Sequence, residues 1–395
     1  MGVPRFEPFP ALRYAADATT PFDDVIAPPY DVLSEADVDA LAARHRHNIV
    51  HVDVPRERDG HGRYTAAGER LRSWIADGVL VADDQPTFTI YRMRFTDATG
   101  RQRDIAGVLG ALEVVDEGAG GVLPHERTTP KASTDRLDLT RATGANLSPI
   151  WGLSLRRGLT ELLTAPGEPV GSVTVDGVEH SVERVADPER VGAISAAVQS
   201  DDVLIADGHH RYGVARAYRD ERAGAPGTDL TLAYVSELVA DQLSVEAIHR
   251  VYRGVDRDAL EAALAEEFEL RPAGPVDSGT LAEMERRGAL CLVDRDGTGT
   301  WLEPRPGAFA DVRALDGLWL EQTLEGTGVD VSYQHGVDEV RTLLGDDPTV
   351  TAAVLIRPVS VAEIERTARE GVLMPPKSTF FTPKLRTGLV VRPIA

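Results

Sequence analysis

Residues 203–222 constrain the fold more than any other segment of the chain. VLIAD (203–207) is an apolar run typical of a buried strand, and Gly208 permits a tight turn. The next residues, HHRYGVARAYRDER, place Val214, Ala217 and Tyr218 on one face of a helix. A strand, a glycine turn and a helix in direct succession predict an α/β fold, with Asp207 at the carboxyl end of the strand.

The other segments predict mixed sheets with flanking helices. We expect helices over 34–44 and 66–78, strands over 86–95, 103–115 and 148–155, and a hairpin over 172–185. We expect a long polar loop over 124–147. Two α/β regions follow from this pattern. Residues 1–254 would hold the functional site, and residues 255–395 would form a C-terminal region whose last segment returns to it.

The charge balance restricts the classes of partner. The chain has 42 basic and 63 acidic residues, a net charge of −21. Nucleic-acid binders are typically basic, so we expect no nucleic-acid partner, and anionic membranes are equally disfavoured. The sequence has no uninterrupted apolar stretch of 18 residues and no signal-peptide core, which predicts a cytoplasmic protein. Cys291, the only cysteine, lies in the apolar run GALCLV and is predicted to be buried.

Lysine is almost absent from the chain. Only Lys131, Lys377 and Lys384 are lysines among the 42 basic residues, and they fall in two short segments, 124–136 and 374–384. A lysine ammonium is a compact charge on a flexible stem, which suits contact with a phosphate oxygen. Retention of lysine in two polar segments therefore indicates function. The alternative is that arginine-favouring codon usage left three lysines by chance.

The segment ADGHHRY (206–212) is the strongest candidate site. Asp207, His209, His210 and Arg211 lie at the start of a helix, where unpaired N–H groups and the helix dipole favour an anion. Gly208 would let a ligand approach the backbone. We predict a phosphate site with Asp207 and His209 in catalysis, Asp207 as a metal ligand, and Gly208, His210 and Arg211 on the cofactor. The alternative is an ordinary helix start with surface histidines.

Four further segments contribute candidates. PHERTTPKASTDR (124–136) offers two catalytic candidates, Glu126 and Lys131, and three substrate-binding candidates, His125, Asp135 and Arg136. MPPKSTFFTPK (374–384) lacks the glycines of a P-loop but could hold a phosphate through Lys377, Ser378, Thr379 and Lys384. APPYDV adds Tyr30 and Asp31 to the substrate site, and EAIHRVYRG adds His249 and Arg250. The alternatives are a solvated loop, a structural C-terminal loop and a structural His–Arg pair.

These motifs, in this order and with this spacing, resemble the domain of unknown function 1015 family over nearly the whole chain. DGHHR after a buried strand also resembles the nucleotide-binding motif of the ParB/sulfiredoxin superfamily. That superfamily includes an ADP-dependent free-serine kinase. The second resemblance implies a ParB/sulfiredoxin-like core in which Asp207, His209, His210 and Arg211 hold nucleotide phosphates and Mg²⁺. It also implies that Glu126 acts as the base.

From these observations we expect a phosphotransferase that uses ATP or ADP with Mg²⁺ and acts on a small polar metabolite such as a hydroxy amino acid. Phosphoryl transfer needs charge neutralisation and positioning, which lysines, Arg211 and a bound metal would supply. Two alternatives stay open. One is a phosphate-ester or nucleotide hydrolase that uses the same site. The other is a non-catalytic, nucleotide-gated regulatory or assembly protein. The sequence leaves the oligomeric state open.

Overall fold

The computed structural model describes residues 2–15, 21–57, 62–97, 100–126, 134–277 and 279–394. The chain divides into two compact units. The first comprises Met1–Ser244, Thr367–Val372 and Pro383–Ala395, and the second comprises Val245–Arg366 and Leu373–Thr382. The sequence suggested a division after residue 254. The contacts instead divide the chain after Ser244, because a strand at Ile248–Arg253 pairs inside the second unit.

The first unit alternates strands and helices. Its strands are β1 (Phe6–Glu7), β2 (Leu12–Tyr14), β3 (Leu80–Ala82), β4 (Phe88–Thr96), β5 (Gln102–Glu113), β6 (Val122–Pro124), β7 (Ala145–Asn146), β8 (Ile150–Ser154), β9 (Glu168–Val175), β10 (Val178–Val185), β11 (Val203–Asp207), β12 (Leu230–Glu237) and β21 (Arg392–Pro393). Its helices are α1 (Phe22–Val25), α2 (Glu35–Arg44), α3 (Val50–Asp53), α4 (Arg63–Ala76), α5 (Thr134–Thr143), α6 (Leu159–Thr164), α7 (Pro188–Val198) and α8 (His209–Glu221).

A nine-stranded sheet forms the centre of the first unit in the parts of the chain that the structure describes. Its order is β6-β11-β8-β12-β5-β4-β10-β9, and β1 pairs with β5. β11 is parallel to β6 and antiparallel to β8, whereas β12 is parallel to β8. The predicted mixed α/β fold is confirmed. β11 has four buried residues because it lies between two neighbouring strands.

Several local predictions hold because short-range chemistry decides them. Ser34 caps α2, and Asp37 reciprocates by accepting from the Ser34 backbone N–H, which forms a capping box. The predicted hairpin turns at Asp176 and Gly177, whose φ angles are 53° and 76°. Two successive positive φ angles are the geometry of a two-residue hairpin turn.

The predicted loop over 124–147 is wrong for its second half, because α5 occupies Thr134–Thr143. Only Leu137 and Leu139 are buried in this helix, and they stand two positions apart rather than three or four. The hydrophobic pattern that marks a helix is therefore weak. Packing against α4 and α8 stabilises the helix, and the sequence does not reveal that packing.

The second unit is a smaller α/β body. Its strands are β13 (Ser244–Glu246), β14 (Ile248–Arg253), β15 (Phe268–Pro275), β16 (Leu290–Val293), β17 (Thr298–Pro304), β18 (Asp330–His335), β19 (Ala352–Leu355) and β20 (Phe380–Thr382). Its helices are α9 (Arg257–Glu267), α10 (Thr280–Arg287), α11 (Asp316–Thr323), α12 (Val337–Asp346) and α13 (Val361–Arg369). A six-stranded sheet has the order β15-β17-β16-β19-β14-β18. None of the helices in the described ranges is both long and apolar enough to cross a bilayer.

Candidate functional site

Asp207 is the last residue of β11, so it lies at the carboxyl end of that strand, where the turn to α8 begins. Gly208 follows it with a φ angle of 89°, which glycine adopts without the strain that other residues incur. A Cβ atom at this position would lie 3.1 Å from the side chains of Arg211 and Ile150. Both the backbone angle and the close approach therefore require glycine.

The start of α8 is open to an anion. The first four N–H groups of a helix have no partner inside the helix, and no side chain of a residue that the structure describes caps α8. The helix has 13 residues, so the positive end of its dipole adds to these donors. His210, in the first turn, is exposed. This arrangement suits a phosphate group.

Two cations hold Asp207. Arg211 donates from Nη2 to Asp207 Oδ2 at 2.8 Å, and Lys384 donates from Nζ to Oδ1 at 3.3 Å. Arg211 also donates from Nη1 to the Pro149 carbonyl. Burial alone would raise the pKa of Asp207, but the Lys384 ammonium and the Arg211 guanidinium outweigh it and lower the pKa to about 2. Asp207 is therefore an anion at neutral pH, and the three side chains together carry one net positive charge.

Two neutral imidazoles lie beside this triad. The rings of His125 and His209 are 4.9 Å apart between centroids. Burial lowers the pKa of His125 to about 4 and that of His209 to about 3. His125 donates from Nδ1 to the Ile205 carbonyl at 2.5 Å, which fixes its tautomer because a carbonyl can only accept. His209 Nε2 is buried and has no hydrogen-bond partner among the residues that the structure describes.

Glu126 follows the carboxyl end of β6, and Asp207 lies at the carboxyl end of the neighbouring strand β11. β6 and β11 are parallel, with Pro124 paired to Ile205, and each carboxylate follows two residues later. Neighbouring strands lie about 4.8 Å apart, so continuation of this pairing beyond Pro124 would bring the two carboxylates near one another. Glu126 Oε2 is 3.8 Å from His125 Nε2, longer than a hydrogen bond. Lys131 lies outside the described residues.

A second polar cluster surrounds Arg136. Its Nη1 donates to the carbonyl and to Oδ1 of Asp53 at 2.7 and 3.1 Å, and its Nε donates to Asp135 Oδ2 at 2.8 Å. The guanidinium carbon stands 4.1 Å from the centre of the Tyr30 ring. Tyr64 donates to Asp135 Oδ1 at 2.7 Å. Two sequence candidates, Asp135 and Arg136, are thus fixed against a third, Tyr30.

A cavity of about 50 Å³ joins the second cluster to the Asp207 triad through Arg211, which belongs to both. Its polar lining residues are Tyr30, Asp53, Arg136, Thr140, Asn146, Ser148, Arg211 and Thr231. Asp53 is 2% exposed, and its Oδ2 has no hydrogen-bond partner in the described part of the chain. Burial raises the pKa of Asp53, although Arg136 and Arg211 oppose the shift. A buried carboxylate oxygen without a donor favours a ligand that supplies one.

Sequence reasoning missed Asp53. The residue lies in α3 within the apolar run NIVHVDV, and its partner Arg136 is 83 positions away. A single carboxylate inside an apolar run is the only signal the sequence contains, since such residues are seldom buried without a partner. Asp31, a sequence candidate, is exposed in the turn that follows Tyr30.

His249 and Arg250 belong to the second unit. His249 is buried on β14 and accepts a hydrogen bond at Nδ1 from the Ile356 N–H at 3.2 Å, and burial lowers its pKa to about 4. Arg250 donates to the carbonyls of Ile248 and Lys377 at 2.6 and 3.2 Å. Their substrate-binding role stays a prediction.

Lys377, Ser378 and Thr379 also lie in the second unit. Lys377 is one of two non-glycine residues with positive φ in the described ranges, at 58°. Ser378 is buried and donates to the Pro375 carbonyl at 2.8 Å, and Thr379 is buried as well. These residues shape a tight turn, and their contact with a phosphate stays a prediction.

A metal would find a limited set of ligands here. No group of three or more His, Cys, Asp or Glu residues in the described ranges is arranged to hold a metal ion. Mg²⁺ often binds one or two carboxylates and takes its other oxygens from water and substrate phosphates. Asp207 and Glu126 fit that description, although Asp207 is already paired with two cations. The site could hold Mg²⁺ only together with a phosphate ligand.

A larger cavity of about 1100 Å³ lies elsewhere in the first unit and shares no lining residue with the one at Arg211. Its main charges neutralise one another. Arg13 donates to Asp83 at 2.9 Å, and Arg184 donates to Asp84 at 2.7 Å. We therefore place the candidate site at the β11–α8 turn.

The Asp207 pKa predicts how stability depends on pH. Its value of about 2 is below the ordinary 3.8, so ionised Asp207 stabilises the fold above about pH 4. That contribution, about 2 kcal/mol, is lost as the pH falls toward 2. We therefore expect the free energy of unfolding, measured with a denaturant, to differ less between wild type and Asp207→Asn at pH 3 than at pH 6. Asp311→Asn, at an exposed position, is the control. An equal difference at both pH values would contradict the assigned ion pairs.

The chain belongs to the family described as "Protein of unknown function (DUF1015)", whose sequence model matches residues 6–318. The resemblance found in the motifs is thereby confirmed. No curated protein matches the chain.

Three solved structures are similar to parts of the chain. A conserved hypothetical protein from Pyrococcus furiosus is 13% identical with a TM-score of 0.36, covering 66% of this chain and 87% of its own. Free serine kinase in complex with AMP is 15% identical with a TM-score of 0.37, covering 68% and 88%. SbnI with a C-terminal truncation, from Staphylococcus aureus, is 16% identical with a TM-score of 0.36, covering 70% and 84%.

Proposed function

We propose that the first unit is a cytoplasmic, nucleotide-dependent phosphotransferase that acts on a small polar metabolite. The observation that carries this proposal is the β11–α8 turn. There, an uncapped helix start lies beside a carboxylate that holds one lysine and one arginine in place. Donors and cations fixed around one point are what phosphoryl transfer requires of a protein.

Each residue of the turn has a distinct task in this proposal. The N–H groups of α8 bind phosphate oxygens, and His210 borders them from the solvent side. Lys384 and Arg211 neutralise the charge that spreads over the transferred group. Asp207 keeps both cations oriented in the absence of substrate. Mg²⁺, when bound with the nucleotide, would add a further positive charge at the phosphates, with Asp207 as its protein ligand.

Glu126 is the proposed base. As the acceptor oxygen bonds to phosphorus and the bond to the nucleotide oxygen breaks, Glu126 takes the proton of the acceptor hydroxyl. His125, whose Nε2 lies 3.8 Å from Glu126 Oε2, is neutral because burial lowers its pKa to about 4. Lys131 stays in the proposal as a catalytic residue on the sequence argument alone.

The cavity at Arg136 is the proposed acceptor site. Asp53 Oδ2 is a buried acceptor to which no residue of the described ranges donates, which suits an ammonium group. Arg136 and Arg211 suit a carboxylate. A hydroxy amino acid such as serine carries both groups and a hydroxyl. The cavity volume of about 50 Å³ admits only a few non-hydrogen atoms of the acceptor molecule.

Product formation tests the function. The purified protein is incubated with Mg²⁺, ATP or ADP labelled in the terminal phosphate, and single small hydroxy compounds, with an acceptor-free reaction as control. Label transferred to an acceptor supports the proposal. Label released only as inorganic phosphate, with or without acceptor, would identify a hydrolase. Tight nucleotide binding without any turnover would identify a regulatory protein. Either result would overturn the phosphotransferase proposal.

A further inference from the structure

Four strands lie at the outer edges of the two large sheets, and among the described residues only β18 has neither a proline nor a register shift. β6 contains Pro124, β9 contains Pro169, and β15 contains Pro272 and Pro275. The ladders of β9 and β15 also contain register shifts. Proline and irregular pairing are devices that keep a sheet edge from pairing with another chain. β18 (DVSYQH) has no proline and no glycine, and its ladder to β14 is regular over all six residues.

Among the described strands of its sheet, β18 is the one that exposes large apolar side chains. Four of its residues are exposed: Asp330, Val331, Tyr333 and His335. Val331 is 46% and Tyr333 38% exposed, and both point to the same face because they are two positions apart. An open, regular edge with two apolar side chains on one face is a pairing surface.

We propose that β18 pairs with β18 of a second copy of this chain, in antiparallel orientation. In a continuous antiparallel sheet, two residues that face each other point to the same side of the sheet. Side chains alternate sides along each of the two identical strands, so facing residue numbers are both odd or both even, and their sum is even. An axis at Ser332 satisfies this condition. It places Val331 opposite Tyr333 of the second copy, and Asp330 opposite Gln334 of the second copy, each twice.

The strand is complementary to itself in this register. A β-branched residue facing an aromatic one is a favourable cross-strand pair. The Gln334 amide can donate to the Asp330 carboxylate. The Tyr333 ring packs against the Arg250 guanidinium, 4.8 Å from its carbon to the ring centre, and is still 38% exposed. An axis at Tyr333 would instead place Tyr333 opposite itself and Val331 opposite His335, and would lose both pairs of a β-branched residue with an aromatic one. The self-complementary pattern favours a second copy over an unrelated strand.

The dimer is expected to depend on concentration. A single six-residue strand pair buries an area on the order of several hundred Å², below the roughly 1,200 Å² of stable interfaces. Pairing of the two six-stranded sheets would nonetheless join them into one continuous sheet. The inference concerns only the second unit and is independent of the proposed phosphotransferase activity.

Disulfide trapping tests both the contact and its register. Cys291, the only cysteine, is 0% exposed, so wild type offers no accessible thiol. Ser332→Cys places one thiol of each copy at the axis, within disulfide range, whereas Asp330→Cys places the two thiols four residues, about 13 Å, apart along the strands. Under mild oxidation, we expect Ser332→Cys to give a covalent dimer whose yield rises with concentration, and Asp330→Cys to stay monomeric.

Two results would overturn the inference. One is the absence of dimer in Ser332→Cys although a thiol reagent modifies the folded protein. The other is equal or greater cross-linking of Asp330→Cys, which would show random collision or another register. Thermal unfolding of both variants confirms that they fold. Adding Val331→Asp and Tyr333→Asp to Ser332→Cys should lower the dimer yield at least tenfold, because two pairs of like charges would replace the two apolar pairs. An unchanged yield would contradict the proposed pairing.

Discussion

Lys384→Arg is expected to lower the turnover number by about 10²–10³ while the protein folds normally. Arginine keeps the positive charge and can bind the Asp207 carboxylate through its planar fork, so the ion pair survives. The ammonium of Lys384, 3.3 Å from Asp207 Oδ1, is a compact charge that can turn toward a phosphoryl group. A planar group with a longer reach would misplace that charge in the transition state.

The measurement is a steady-state rate for wild type and Lys384→Arg, with thermal unfolding as the check on folding. Arg46→Lys, an exchange of the same two residue types at an exposed position, is the matched control and should keep the wild-type rate. Turnover of Lys384→Arg within a factor of three of wild type would show that Lys384 serves only to balance Asp207.

Glu126→Gln should lower turnover by about 10²–10⁴, the usual contribution of a general base. Glutamine has nearly the same shape but cannot accept the acceptor's proton. Nucleotide affinity should change little, because Glu126 stands two residues beyond β6 rather than at the start of α8. Separate measurements of turnover and of nucleotide affinity distinguish a catalytic loss from a binding loss.

The control for this variant is Glu117→Gln, at a carboxylate whose side chain is 83% exposed. It should match wild type in both measurements. If Glu126→Gln turned over at the wild-type rate, the base would have to be another group. If it lost nucleotide affinity in proportion to rate, Glu126 would be a binding residue instead.

The sequence predicts the local part of the site well. Asp207, Gly208 and the first turn of α8 follow one another along the chain, and short-range rules govern a strand, a turn and a helix start. The segment therefore folds as its own residues dictate. The left-handed angle of Gly208 is a direct example.

The sequence does not predict which distant residues complete the site. Lys384 reaches Asp207 across 177 positions, and Arg136 reaches Asp53 across 83. Such pairs depend on the order of strands in the sheet, which no local pattern encodes. The scarcity of lysine points to Lys131, Lys377 and Lys384 together, and it identifies neither Lys384 as the one beside Asp207 nor Asp207 as its partner.

Helix α5 shows a second limit. It carries Asp135 and Arg136 to the cavity, yet its two buried leucines do not form a helical stripe. Its position is set by α4 and α8, whose contacts arise only in the folded chain. The chemistry of the two residues makes them candidates in the sequence, whereas the helix that carries them is not predicted.

Nucleotide phosphates are proposed to bind at the β11–α8 turn, and calorimetric titration of ATP and ADP with Mg²⁺ measures that binding. Gly208→Ala and Gly224→Ala both place alanine at a positive φ, 89° and 82°, at opposite ends of α8. Only at position 208 would the added Cβ crowd neighbouring side chains, at 3.1 Å, whereas nothing lies within 4 Å at position 224. We expect wild type and Gly224→Ala to bind equally, and Gly208→Ala to bind at least tenfold more weakly. Equal affinity in all three proteins, or no binding by wild type, would contradict the account.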